Sequence, residues 1–206
     1  GVRRLDALLV PHAQADHDGA AGAIIRALPV AALLDGRDGV RDAGGAALDR
    51  ARAAALPAPL HLAPSFLAYP ALAAPRAGST IRAGAIVLRI LWPGPGRTRP
   101  GEDPNARAVV AVAHVGRLRV LLTADAESEV LAPLAPPAID VLKVSHHGSA
   151  DPGLAPLLDR LRPRLAVIEV GARNAYGHPA PATLSALRGA GVPALRTDRD
   201  GTVVVT

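Results

Sequence analysis

The chain has 206 residues, half of them apolar and 20% charged, with 20 Gly, 20 Pro and no Cys. This balance excludes a disordered polar chain, and no apolar run approaches the ~18–20 residues that a membrane helix needs. A net charge of +5 favours an acidic partner such as nucleic acid.

Leu5 to Val10 reads as a buried strand ending at Pro11, and Gly19 to Leu28 carries helical spacing through Ile24, Ile25 and Leu28. Val30 to Leu34 is strand-like and closes in the turn Asp35-Gly36. Arg41 to Ala55 is Ala-rich and reads as helix, and His61 to Pro75 reads as loop. Ile86 to Trp92 is a strand, followed by the Gly/Pro-rich loop Pro93 to Pro104. Ala108 to His114 and Leu118 to Thr123 flank Val115-Gly116-Arg117, the pattern of a β-hairpin. A helix is predicted over Glu127 to Leu134. Strand and helix then alternate through Ile139 to Val144, Leu154 to Leu161, Leu165 to Val170, Ala182 to Leu187, and Val203 to the end. Interleaved strands and helices give an α/β class with mixed sheets, in a single domain over residues 1–206. With only Phe66, Tyr69, Trp92 and Tyr176 aromatic, the core must be built from Ala, Val, Leu and Ile.

Without Cys, any metal must be held by His, Asp, Glu or amide oxygen. Five of the seven His fall in three short segments, each after a predicted strand: His12 and His17, His146 and His147, and His178. A fourth segment, Leu121-Leu122-Thr123-Ala124-Asp125, places a carboxylate at a strand end. Strand ends in α/β sheets are where catalytic loops gather, so the four can converge. His and Asp are ligands that Zn, Mn or Fe accept. Read singly, these residues have plainer explanations. Asp16, Asp18 or Asp125 could cap a helix, and Gly177-His178-Pro179 could be a turn before one. Asn105 reads as a turn residue, His61 and His114 as structural, and Arg160, Arg162 and Arg164 as a solvated face. Lys143 is the only lysine in an Arg-rich chain and lies three residues before His146.

Together the segments resemble the metallo-β-lactamase superfamily. More narrowly, they are similar to the C-terminal metallo-β-lactamase-like domain of the ComEC family of DNA-uptake channel proteins. The matching runs are HAQADH from His12, LLTAD to Asp125, KVSHHGS from Lys143 and RNAYGHP from Arg173. The ending from Arg196 to Val203 is similar to that family's last hairpin. The resemblance implies a four-layer αβ/βα sandwich, and a fragment that begins partway into the domain, because the superfamily strands that precede the first motif are absent.

It further implies that His12, Gln14, Asp16, His17, Asp125, His146 and His147 surround one or two divalent ions, Zn or Mn. Asp16, Lys143 and His178 become catalytic candidates, with Ser145, Asn174 and Tyr176 near the substrate. The implied reaction is phosphodiester hydrolysis of one DNA strand during natural transformation, on the extracytoplasmic face, tethered to a membrane channel outside this sequence. Gln14 departs from the family pattern, standing where the superfamily has His and the DNA-uptake branch Asp. Ala124 replaces the Gly of the TGD motif, and Ala20 the second Gly after the first motif. Two other readings follow: a weak or inactive DNA-binding scaffold, and a hydrolase of a small ester or nucleotide.

Overall fold

A computed structural model of the chain describes residues 1–37, 43–55, 71–95 and 102–205. β1 (Leu8–Val10), β2 (Ala32–Asp35) and β3 (Ala71–Ala73) form a three-stranded parallel sheet in that order. A second sheet of seven strands holds β4 (Thr80–Ala83), β5 (Ile86–Trp92), β6 (Val110–Val115), β7 (Leu118–Leu122), β8 (Val141–Lys143), β9 (Leu165–Ile168) and β10 (Ala194–Arg196). β4 to β7 run as an antiparallel meander, and β7 to β10 are parallel neighbours. Parallel pairs need crossovers, and α4 (Ser128–Leu131), α5 (Leu154–Leu161) and α6 (Pro181–Gly189) supply them.

Side-chain alternation along the strands sets the layers. On β1, Leu8 and Val10 turn towards α2 (Ala21–Ala27) and α3 (Ala43–Ala55), joining Ala21, Ile25, Val30, Leu33 and Leu48 in one apolar cluster. Leu9 points the other way and packs with Leu88, Ile90, Val109 and Ala111 between the two sheets. On β6, Val110 and Val112 face the third cluster, where Leu121, Leu142 and Ile168 meet Leu131, Leu154, Leu157, Leu158 and Leu187 of the outer helices. Three apolar interfaces therefore separate four layers, helix–sheet–sheet–helix, in the order expected.

The structure corrects several sequence expectations. Within the stretch read as loop, Ala71–Ala73 is a strand paired in parallel with Ala32–Leu34. Alanine has weak strand propensity, so this strand comes from pairing with β2 rather than from its own sequence. Residues 61–70, with His61, Phe66 and Tyr69, lie outside the described residues, as do Arg41, Asp42 and residues 96–101 of the Gly/Pro-rich loop. β4 was not expected. Nor are residues 203–205 a strand; the sheet's last strand is Ala194–Arg196. The expected hairpin is instead a helical turn, α7 (Thr197–Asp200). There the Arg196 amide donates to Asp200 at 2.7 Å and its guanidinium grips Asp198 at 2.6 and 3.0 Å. Such local side-chain bonds compete with an extended backbone.

Candidate metal centre

Every predicted site segment leaves the carboxyl end of a strand on the same edge of the sandwich. β1 delivers His12, Gln14 and the short helix α1 (Ala15–Asp18), which carries Asp16 and His17. Two backbone bonds fix the exit from β1: Gly36 N to Val10 O at 2.8 Å and Val109 N to Pro11 O at 3.1 Å. β7 delivers Asp125, β8 the turn Ser145–Gly148, and β9 the loop running to His178.

Asp125 is at the centre, with a side chain fully shielded from solvent. His17 Nε2 stands 3.0 Å from its Oδ2, with His12 Nε2 at 3.8 Å and His146 Nε2 at 3.9 Å from the same oxygen. His147 Nε2 is 3.8 Å from Oδ1 and 3.3 Å from Asp16 Oδ2, which is itself 3.7 Å from His17 Nε2. His12 Nε2 also faces Gln14 Oε1 at 3.4 Å. Burial would raise the Asp125 pKa, but His17, then Lys143 and His147, outweigh it and hold the carboxyl down to about 2. Burial, reinforced by the neighbouring His17, lowers His12 to about 4.

Both Asp125 oxygens and the Nε2 atoms of His17 and His147 are buried without a hydrogen-bond partner. Buried polar atoms are almost always satisfied, so several unsatisfied ones gathered in one place call for a further partner. Ligand atoms of Asp16, His17, Asp125 and His147 all lie within 4.8 Å of one another, spacing that admits a cation between them. Mixed imidazole and carboxylate donors fit a divalent transition metal. The helix-cap readings fall away for Asp16 and Asp125. The cap positions of α1 and α4 are Gln14 and Glu127, neither helix has a side-chain cap, and the Asp125 oxygens bond to no amide.

The backbone that aims these groups is unusual. Ala124, His146 and His147 all have positive φ, at 47°, 48° and 53°. The Ala124 carbonyl accepts from the His146 amide at 3.1 Å and from Lys143 Nζ at 2.9 Å, and Thr123 Oγ1 donates to the Lys143 carbonyl at 2.8 Å. The two strand-end turns carrying Asp125 and His146-His147 are thus tied together. Lys143 lies beneath the cluster as part of this tie. Its buried amine is 4.0 Å from Glu169, and burial lowers its pKa.

A pocket of about 550 Å³ opens above the cluster, lined by Gln14, Ala15, Asp16, His146, His147, Tyr176 and His178. Burial and the two neighbouring imidazoles lower the His178 pKa. Asn174 shapes this wall: its amide nitrogen donates to the carbonyls of Gly171 and His178, and its oxygen accepts from the His178 amide, all at 2.9 Å. Ser145 is buried in its turn and does not line the pocket. The Arg160–Arg164 cluster precedes β9 and lies at the opposite end of the sheet from the His residues. His114 is on β6 opposite Arg119, and Asn105 is in a turn beside Asp103.

Two contributors went unnoticed in the sequence. Glu127 Oε1 bonds His146 Nδ1 at 3.0 Å and also accepts from the Ser149 hydroxyl. The Glu169 carbonyl bonds His147 Nδ1 at 2.8 Å. Such partners fix the ring and its tautomer so that Nε2 faces the cluster around Asp125. Glu127 lies two residues after Asp125 and reads as an ordinary helix start. A backbone carbonyl carries no sequence signal at all.

No protein-family model matches the chain. It is 28% identical over 211 residues to ComE operon protein 3 of Bacillus subtilis, covering 98% of this chain. It is also 31% identical over 112 residues to Competence protein ComA of Neisseria gonorrhoeae, covering 50% of this chain. The chain is thus similar in sequence to these two competence proteins. It spans 25% of the first relative's length and 16% of the second's. Among solved structures, a protein described as a metal-dependent hydrolase from Parabacteroides distasonis aligns over 96% of this chain and 78% of its own. The TM-score is 0.55 and the identity 15%. CmlA, a diiron β-hydroxylase from Streptomyces venezuelae, aligns over 95% of this chain and 44% of its own, with TM-score 0.54 and 15% identity. The chain therefore shares the fold of these two proteins. No described helix is long and apolar enough to cross a membrane.

Proposed function

We propose that this chain is the metal-dependent nuclease domain of a competence protein, hydrolysing phosphodiester bonds of one DNA strand during uptake at the extracytoplasmic face of the membrane. The observation that carries the reading is Asp125, a buried carboxylate with both oxygens unsatisfied and four imidazole Nε2 atoms within 3.9 Å. Asp16, His17 and His147 would hold one ion with Asp125, while His12 and His146 lie within 3.9 Å of the Asp125 Oδ2 as a second set, with Gln14 Oε1 against His12. Bound Zn or Mn would supply an activated water and offset the charge that builds on a phosphodiester.

The chain's own residues do the rest. Glu127 and the Glu169 carbonyl hold the His146 and His147 rings in place. His178, on the pocket wall beside His146, is placed to give a proton to a departing oxygen, and Asp16 presents a half-exposed carboxylate to the pocket floor. Lys143 acts from below by fixing the Ala124 turn that aims Asp125, not by touching the phosphate. The basic balance of the chain suits a polyanion, and the similarity to two much longer competence proteins supplies the context of DNA uptake.

The test is metal content after purification, together with Mn- and Zn-dependent cleavage of single-stranded DNA, for the wild type and Asp125→Ala. Near-stoichiometric metal and cleavage, both lost in the variant, support the reading. A folded wild type without metal or cleavage overturns it. That result would favour a scaffold role, for which the uncharged Gln14 oxygen facing His12 is the motivating feature.

A further inference from the structure

Tyr176 is the feature the metal cluster does not account for. Its side chain is 82% exposed, a costly placement for a large aromatic in a chain that has so few. The described Trp92 is used structurally: its indole donates to the Ala106 carbonyl at 2.8 Å, and the Arg107 guanidinium lies 5.5 Å from the ring centre. Tyr176 lies instead on the rim of the pocket over the cluster. One face of its ring stacks on His178, with centroids 5.9 Å apart and planes 15° from parallel. His178 in turn lies 5.7 Å from the His146 ring. The loop that presents Tyr176 is held by the three Asn174 bonds, so the ring is pre-positioned rather than trailing in solvent. Arg173, three residues earlier in sequence, is exposed and adds a positive charge to the same loop.

We propose that Tyr176 and His178 form a nucleobase subsite: an unpaired base stacks on the outer face of Tyr176, next to the phosphodiester held at the histidine cluster. This rests on the phosphodiesterase reading above and adds the strand form of its substrate. A tyrosine face accepts any base, because every base has a π-face, and stacking of this kind is sequence-tolerant. The base must be unpaired, since within a duplex both of its faces are already covered by neighbours. Two ring-to-ring steps separate Tyr176 from His146, so the stacked base belongs to the nucleotide adjacent to the reacting phosphate.

The experiment measures equilibrium binding of a short single-stranded DNA with 2-aminopurine at one position, against the same strand with that position abasic. Both are titrated without added metal into the wild type, Tyr176→Phe and Tyr176→Ala. For the wild type, 2-aminopurine fluorescence is quenched and the abasic strand binds about tenfold or more weakly. Tyr176→Phe keeps that difference, whereas Tyr176→Ala abolishes it, with both strands binding alike. Equal binding of intact and abasic strands by the wild type overturns the proposal, as does no binding of either strand, or a difference that survives Tyr176→Ala. Hydrolysis of bis(p-nitrophenyl) phosphate by the Mn-loaded wild type is measured separately. This substrate has no base, so its failure counts against the phosphodiesterase reading and not against the stacking subsite.

Discussion

Gly148 closes the His146-His147 turn, and replacing it with Ala tests whether that turn is as tightly determined as the structure indicates. Its φ is +84°, and a Cβ built there would lie 2.7 Å from Pro179 Cβ, 3.2 Å from Pro179 Cα and 3.3 Å from Ile168 Cγ2. Positive φ costs an L-residue about 1–2 kcal/mol. Overpacking adds about 1–3 kcal/mol, because the nearest atoms belong to a proline ring and its backbone rather than to a flexible side chain. Gly148→Ala is therefore expected to lose about 2–5 kcal/mol. For a chain of this size that lowers Tm by about 4–20 °C. Gly177 separates the two contributions: its φ is +74°, but nothing lies within 4 Å of an added Cβ. Gly177→Ala should lose only the backbone share. Urea unfolding and thermal melts of the metal-free protein read both values. If Gly148→Ala stays within about 0.5 kcal/mol of the wild type, or costs no more than Gly177→Ala, then the packing of this turn against Pro179 has been misread. The turn also joins two walls of the site, since the Gly148 carbonyl accepts from the Ala180 amide at 2.8 Å. A shift here would displace His178 relative to His146.

Two further outcomes follow from the same geometry. Glu127→Ala removes the acceptor of His146 Nδ1 and should weaken Mn or Zn affinity by about 10–100-fold in chelator competition, while Glu127→Gln, which keeps an acceptor oxygen, should lose less; equal affinity of all three proteins would deny Glu127 its positioning role. Ala124→Gly relieves a residue held at φ 47° and should raise stability by up to about 1 kcal/mol in urea unfolding, net of the greater freedom glycine has when unfolded; a loss of stability would mean the Ala124 methyl packs favourably enough to offset its backbone strain.

Local sequence pattern was enough to read the alternating elements of the large sheet and to single out the candidate residues of the centre. Strands such as Ile86–Trp92 and helices such as Leu154–Leu161 are legible because local periodicity reports which face is buried, and that face is the same in the folded chain. His12, Asp16, His17, Asp125, His146 and His147 stand out because His and Asp cluster after strands in a chain rich in Ala, Leu, Arg, Gly and Pro. What periodicity cannot report is pairing. Ala71–Ala73 and Ala194–Arg196 are strands only because β2 and β9 offer them an edge, and α7 replaces a hairpin because Asp198 and Asp200 find Arg196.

Where each polar residue stands relative to the others came only from the assembled sheets. Lys143 and Ser145 sit in the same short motif as His146 and His147, yet both are buried under the site. Tyr176, which sequence position alone leaves ambiguous, stands on its rim. Glu127 reached His146 from another strand end, across a separation of 19 residues, and no local pattern encodes that contact. Which chemistry-bearing types are present is written along the chain. Which atoms face one another depends on strand order and on the backbone turns at Ala124, His146 and His147, and these are fixed only when the sheets assemble.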